Sequence, residues 1–204
     1  MNKKTVIIKE KKEFNIFQSL INQIIIDGFR LPNQVFQPPL NKFVFEEFDW
    51  SMSAEFWETI QSLALQSADS YVLMAVIEPN PIDYFYKEFG YYSWFKIPTT
   101  SSTDDYWSIL ELEPEGSPAD AVVFNSDVVV WVSPSKSWAI WGERSHGVCV
   151  LATRNELDQL QLSTWRTVDK AINELIPLQY TNKKVPEDFS DLLTINYFNK
   201  QSSF

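Results

Sequence analysis

The sequence predicts an α+β domain: a mainly antiparallel sheet, its C-terminal half a meander, with helices packed on one side. Three observations predict it. Four short β-rich runs, "DAVVFNS", "DVVVWVS", "SWAIWG" and "GVCVLAT", are joined by Asn-Ser-Asp, Ser-Pro-Ser-Lys and Glu-Arg-Ser-His-Gly turns, the spacing of a meander. Helical periodicity stands before and after that block, and grouped strands flanked by helices favour α+β over alternating units. The 204 residues, 45% hydrophobic and 22% charged, suit one good-sized core and a globular chain.

The elements follow in order. Residues 1–13 form a basic segment, with five lysines against Glu10 in the first twelve positions. In "EFNIFQSLINQIIIDGF", Phe14, Phe17, Leu20, Ile21, Ile24 and Ile25 share a helical face, and Gly28 is a natural stop. "LPNQVFQPPLN", with three prolines, is an extended loop. "KFVFEEF" alternates as a strand does. Ser51 or Ser53 is a cap for a helix over "AEFWETIQSLAL", with Glu55 or Glu58 near its positive end. "SYVLMAVIE" is a strand-length apolar run of the kind covered on both faces. "PNPIDYFYKEFG" reads as a short helix capped by Asn80, opened by Pro81 and closed by Gly90. "YYSWFKIP" is a further strand, and "SSTDDYWSILELEPEGSP" gives one or two helical turns before Pro114. After the four β-rich runs comes a helix from Ser163 to Ile176, with Val168, Ile172, Leu175 and Ile176 on one face. A single domain therefore spans 14–178, and 179–204 is a polar tail.

Charge is distributed unevenly. Between residues 43 and 135 sixteen acids face only Lys87 and Lys96, within a chain of net charge −10. Such a field repels nucleic-acid phosphates and speeds the approach of basic partners. The N-terminal stretch lacks the ~7–15-residue apolar core of a signal peptide, and apolar runs fall short of the ~18 residues that span a membrane. With a single cysteine, the expectation is a cytoplasmic chain that binds neither nucleic acid nor membrane.

The chemistry-bearing residues are sparse. His146 and Cys149, the only histidine and cysteine, are three positions apart on extended backbone, about 10 Å. The cysteine between valines reads as a small buried hydrophobe rather than a nucleophile. No metal-ligand spacing, calcium loop or phosphate-cradling glycine motif occurs, so no metal and no cofactor are expected. Paired carboxylates for glycosidic hydrolysis are an alternative, with Asp104, Asp105, Glu111, Glu113 and Glu115 beside Tyr106 and Trp107. More prominent is the interleaving of aromatic and acidic residues in "DYFYKEFGYYSWF" and "DDYWSILELEPE". Tyr and Trp dominate binding hot spots, and acids beside them raise association rates with basic partners. Trp141, at a strand end beside Gly142, suits either the core or a contact.

The stretch from Asp83 to Leu151, above all Trp-Ala-Ile-Trp-Gly-Glu-Arg at Trp138–Arg144, resembles bacterial immunity proteins of polymorphic or contact-dependent inhibition toxin systems. That resemblance implies a non-enzymatic cytoplasmic inhibitor that occludes the active site of a cognate, basic toxin domain. The expected contact set is Asp83, Tyr84, Tyr86, Glu88, Asp104, Asp105, Tyr106, Trp107, Trp141, Glu143 and Arg144. An adaptor for a housekeeping complex is the other binding-protein expectation.

Overall fold

Alternation along the strands decides the architecture. The computed structural model describes residues 6–154 and 162–198. Six antiparallel strands, β1 (Lys42–Glu47), β2 (Tyr71–Glu78), β3 (Trp94–Pro98), β4 (Val128–Val132), β5 (Trp138–Glu143) and β6 (Val148–Thr153), form one sheet in the order β1-β6-β5-β4-β2-β3. In β5, Trp138 and Ile140 point into one apolar cluster and Ala139 and Trp141 into the other. In β6, Cys149 and Leu151 join the first, and Val148, Val150 and Ala152 the second. Strands apolar at both parities must be covered on both faces. The α+β class and antiparallel sheet are as expected, but helices lie on both faces rather than one.

One cover is made by α1 (Lys11–Ile21), the turns that follow it, α6 (Val168–Lys170) with the wide-turned helix Ala171–Leu175, and α7 (Glu187–Tyr197). Phe14, Phe17 and Ile21 face the sheet from α1, and Ile24 and Ile25 extend that face beyond the helix. The other cover is α2 (Phe48–Ser51), α3 (Phe56–Gln66), the Pro81–Tyr86 helix that runs into α4 (Lys87–Phe89), and α5 (Thr103–Leu110). Trp57 stacks on Tyr106 between α3 and α5 at 5.5 Å. Phe56 meets Trp131 of β4 edge-on at 5.4 Å. Fully buried aromatic side chains of this size cost about 3–5 kcal/mol each to truncate to alanine. Gly142 of β5 is a close-approach position: a Cβ there would lie 3.1 Å from Cys149 Sγ and 3.2 Å from the Phe48 ring.

Several sequence expectations are corrected. "DAVVFNS" is not a strand but a chain of turns, so the meander has three strands, β4 to β6. Its apolar run is short, and the chain turns there: the Phe124 and Asn125 N–H groups both donate to Ala121 O, at 2.9 and 2.8 Å. No side chain caps α3; Ser51 instead ends α2 and donates to Phe48 O at 2.6 Å. The helix expected from Ser163 begins at Val168, because Arg166 first pairs with β1 as described below. The supposed tail after 179 contains α7, whose Leu193 and Tyr197 are fully buried. Residues 6–8 of the basic segment are equally part of the domain.

Both sheet edges are occupied. At β3, Ile8 N–H donates to Trp94 O at 2.9 Å and Lys96 N–H to Val6 O at 2.8 Å. At β1, Phe45 and Arg166 exchange both backbone hydrogen bonds, at 2.8 and 2.7 Å. The Arg166 guanidinium also reaches Glu46 at 2.9 Å.

Candidate partner-binding face

The face is built on α5. Ser102 accepts from the Asp105 N–H at 3.1 Å while Asp105 Oδ2 accepts from the Ser102 N–H at 3.0 Å. This reciprocal capping box starts the helix at a defined residue. It also holds the Asp105 carboxyl below the usual carboxylate range, chiefly through the Ser102 backbone hydrogen bond. Phase then follows from the start: Tyr106, Ile109 and Leu110 point inward, whereas Asp104, Trp107 and Glu111, at i, i+3 and i+7, point outward. The Tyr106 hydroxyl donates to Ser51 O at 3.0 Å and is fully buried, so it is a core residue and no contact.

Opposite Trp107 lies the loop Asp120–Asp127, held by Tyr84, Leu110 and Arg144 and by an internal bond from Asn125. The Tyr84 hydroxyl donates to Asp120 Oδ1, and Asn125 Nδ2 donates to the same oxygen. The Val123 N–H donates to Leu110 O at 2.9 Å, at the end of α5. Arg144 Nη2 donates to Val123 O at 2.9 Å, and its Nε to Ser126 O at 3.1 Å. Its guanidinium lies 4.6 Å over the Phe48 ring. Burial opposes ionisation of Asp120, but the hydrogen bonds from Ser117, Tyr84 and Asn125 outweigh it and lower its pKa.

What this scaffold displays is Phe124, 70% exposed, across from Trp107, 36% exposed. Between them is a groove of about 510 Å³, lined also by Leu112, Val123, Glu111 and Glu113. An aromatic side chain so exposed, on so well-tied a loop, has no core role to explain it. Phe124 was not among the expected contacts. No sequence signal marked it, since the Asn125-Ser126-Asp127 turn directly after it bounds a strand as readily as it continues a chain of turns.

The eleven expected residues fall into separate groups. Asp104 and Trp107 lie on the groove's helix with their side chains outward. Asp105, Tyr84 and Arg144 are part-buried, and their hydrogen bonds brace the start of α5 and the loop that carries Phe124. Asp83 is exposed and paired with Lys87 at 2.6 Å, and Glu88 is exposed beside it. Tyr86 stacks on Tyr92 at 4.5 Å, and Tyr92 on Phe14 of α1, which places Tyr86 toward the other cover. Trp141 and Glu143 are buried, Glu143 to 1% exposure, and so are corrected as contacts. The sheet run that contains them is apolar at both parities and has no exposed face.

The remaining chemistry is also placed. Cys149 is fully buried, and burial pushes its thiol up to about 12. His146 lies 3.4 Å from Glu143 and against the Phe189 ring, on the opposite side of the sheet from the sulfur. No Cys–His pair forms. Asp105 and Asp120 are shifted in the direction opposite to that of a general acid. Among the described residues no group of three or more His, Cys, Asp or Glu side chains is placed to hold a metal ion, and no helix is long and apolar enough to cross a membrane. No family model, curated protein or solved structure matches the chain.

Proposed function

We propose that this chain is a non-enzymatic binding protein that neutralises a cognate toxin domain by covering its active site, with the Trp107–Phe124 groove as the centre of the contact. The observation that carries the reading is Phe124, exposed to 70% on a loop fixed by Tyr84, Asn125, Leu110 and Arg144. Ordering a side chain on binding costs about 0.5–1.5 kcal/mol, and a loop held in place beforehand reduces the ordering that must accompany it. Aromatic anchors in a pre-formed groove are the usual seat of binding energy. Glu111 and Glu113 in the lining, and Asp104 on the same helix face as Trp107, suit a basic partner. The resemblance of Trp138–Arg144 to immunity proteins favours a toxin over other partners, and the cytoplasm as the place of action.

The test has two stages. Affinity capture from the source lysate identifies the partner, which is then co-expressed with this chain to measure growth. Wild type should restore growth, and the double variant Trp107→Ala/Phe124→Ala should bind the partner about 100-fold more weakly, the loss of a hot-spot pair. A double variant that binds and protects like wild type sinks the groove. A captured housekeeping complex, with no protection from any toxin, replaces the reading with the adaptor.

A further inference from the structure

A second concavity lies on the opposite cover, between the end of α1 with its following turn and the end of β2. It measures about 450 Å³, within the size range of pockets for small organic ligands. Its inner wall includes Ile25, Ile77 and the rings of Trp94 and Trp141. Each indole has spent its one polar atom: Trp94 Nε1 donates to Val76 O at 2.9 Å, and Trp141 Nε1 to Glu143 Oε2 at 2.9 Å. The two rings, each only 2% exposed, therefore contribute apolar atoms to the cleft's floor and no free donor. Phe29, half-exposed, adds a third ring.

The charges of the lining are Asp27, Arg30 and Glu78. Arg30 is already committed, since its guanidinium bridges Glu78 and the buried Glu143, the latter at 3.0 Å. Glu143 Oε2 accepts in addition from the Leu31 N–H at 3.2 Å. One cation is thus shared by two carboxylates, and Asp27 adds a third acid to the lining. An anion entering the cleft would meet this excess of negative charge and an arginine with its fork engaged. A neutral apolar group would fill the wall but leave the excess negative charge of the lining uncompensated. An alkyl chain ending in a positive charge satisfies both, and the half-exposed Phe29 ring adds a face that attracts cations.

We propose that this cleft is a binding site for an alkylammonium group, either the side chain of a lysine or a free primary amine of similar length. The site is separate from the Trp107–Phe124 groove and does not depend on the function assigned to that groove.

The test uses the full chain with ¹⁵N-labelled indoles, titrated with pentylammonium chloride, pentanol and sodium pentanoate. Pentylammonium should give saturable shifts of the Trp94 and Trp141 indole signals, with Trp57 and Trp131 in the other layer unmoved. Pentanol and pentanoate should bind at least about tenfold more weakly, equivalent to 1.4 kcal/mol. Glu78→Gln, at a half-exposed position, should weaken pentylammonium severalfold and leave pentanol unchanged. The exposed Asp27→Asn provides a second charge variant. A blocked lysine, Nα-acetyl-lysine N-methylamide, separates the two sources: tighter binding than pentylammonium assigns the cleft to a lysine side chain, weaker binding to a free amine. Equal binding of pentanoate, or no saturable shift with either cation, overturns the proposal.

Discussion

Arg144 holds the displayed loop to the sheet, and its value lies in where its hydrogen bonds end. Removing the guanidinium leaves Val123 O and Ser126 O without their charged donor. Hydrogen bonds to charged groups contribute about 1.5–3 kcal/mol each, less where solvent can replace them. Arg144→Met should therefore lower stability by about 2 kcal/mol, seen as a fall in the urea midpoint with unchanged slope. A loss below about 0.5 kcal/mol, the usual range for surface changes, would show that Tyr84 and Leu110 hold the loop unaided. His146 gives a pH signature. Burial lowers its pKa most, the nearby Glu143 carboxylate works against that, and Arg30 adds to the lowering. The folded value thus lies below the unfolded value of about 6.5. The neutral imidazole's contribution is present above that unfolded value and is lost as pH falls through the folded one. Urea midpoints at pH 7.5 and 5 should fall further for wild type than for His146→Asn. A smaller fall for wild type would mean that the pairing with Glu143 dominates.

At the scale of elements, α7 bears more of the fold than its composition suggests. The Tyr197 hydroxyl donates to Asn33 O at 2.7 Å and accepts from the Val35 N–H at 3.0 Å, while its ring lies edge-on to Phe43 at 5.1 Å. Tyr197→Phe keeps the ring and strands a buried N–H, a cost of about 1–3 kcal/mol. Amide exchange at Val35 should accelerate well beyond the global average, whereas uniform acceleration would mean that only overall stability had changed. The helix was hard to read because Phe189, Leu192, Leu193, Ile195 and Tyr197 are scattered among polar residues, with Leu192 and Ile195 in fact exposed. Pro186 followed by Glu187 and Asp188 is nonetheless a helix-start signature. β2 and β4 to β6 were legible because four- to eight-residue apolar runs bounded by turn residues have few other fates. The same runs also carried the evidence for two covering layers, since Val, Trp and Ile occur in them at both parities. Of the candidate site, Asp104 and Trp107 were legible as an acidic-aromatic run; Phe124 was not, because tertiary hydrogen bonds decide whether a short apolar run pairs or turns.

For the molecule as a whole, the excess of acids between residues 43 and 135 would, with the basic partner proposed, govern encounter more than final affinity. Charge reversal at Asp104 and Glu111 should slow association and flatten its dependence on salt, with dissociation changed less. Stopped-flow rates across about 0.05–0.5 M salt, over which the screening length falls steeply, would read this. An unchanged salt slope would place the electrostatic steering elsewhere on the surface. Asp105 is unsuited to that experiment, because reversing it would also dismantle the capping box. The occupied edges of the sheet bear on the partner too. Open edges recruit extended peptides through main-chain hydrogen bonds, largely irrespective of side chains. Here Val6–Ile8 and Arg166 have taken up backbone groups along β3 and β1. Under the proposed function, recognition would then fall to side chains, and a partner would be selected by the shape and charge of a folded surface rather than by any willingness to become a seventh strand.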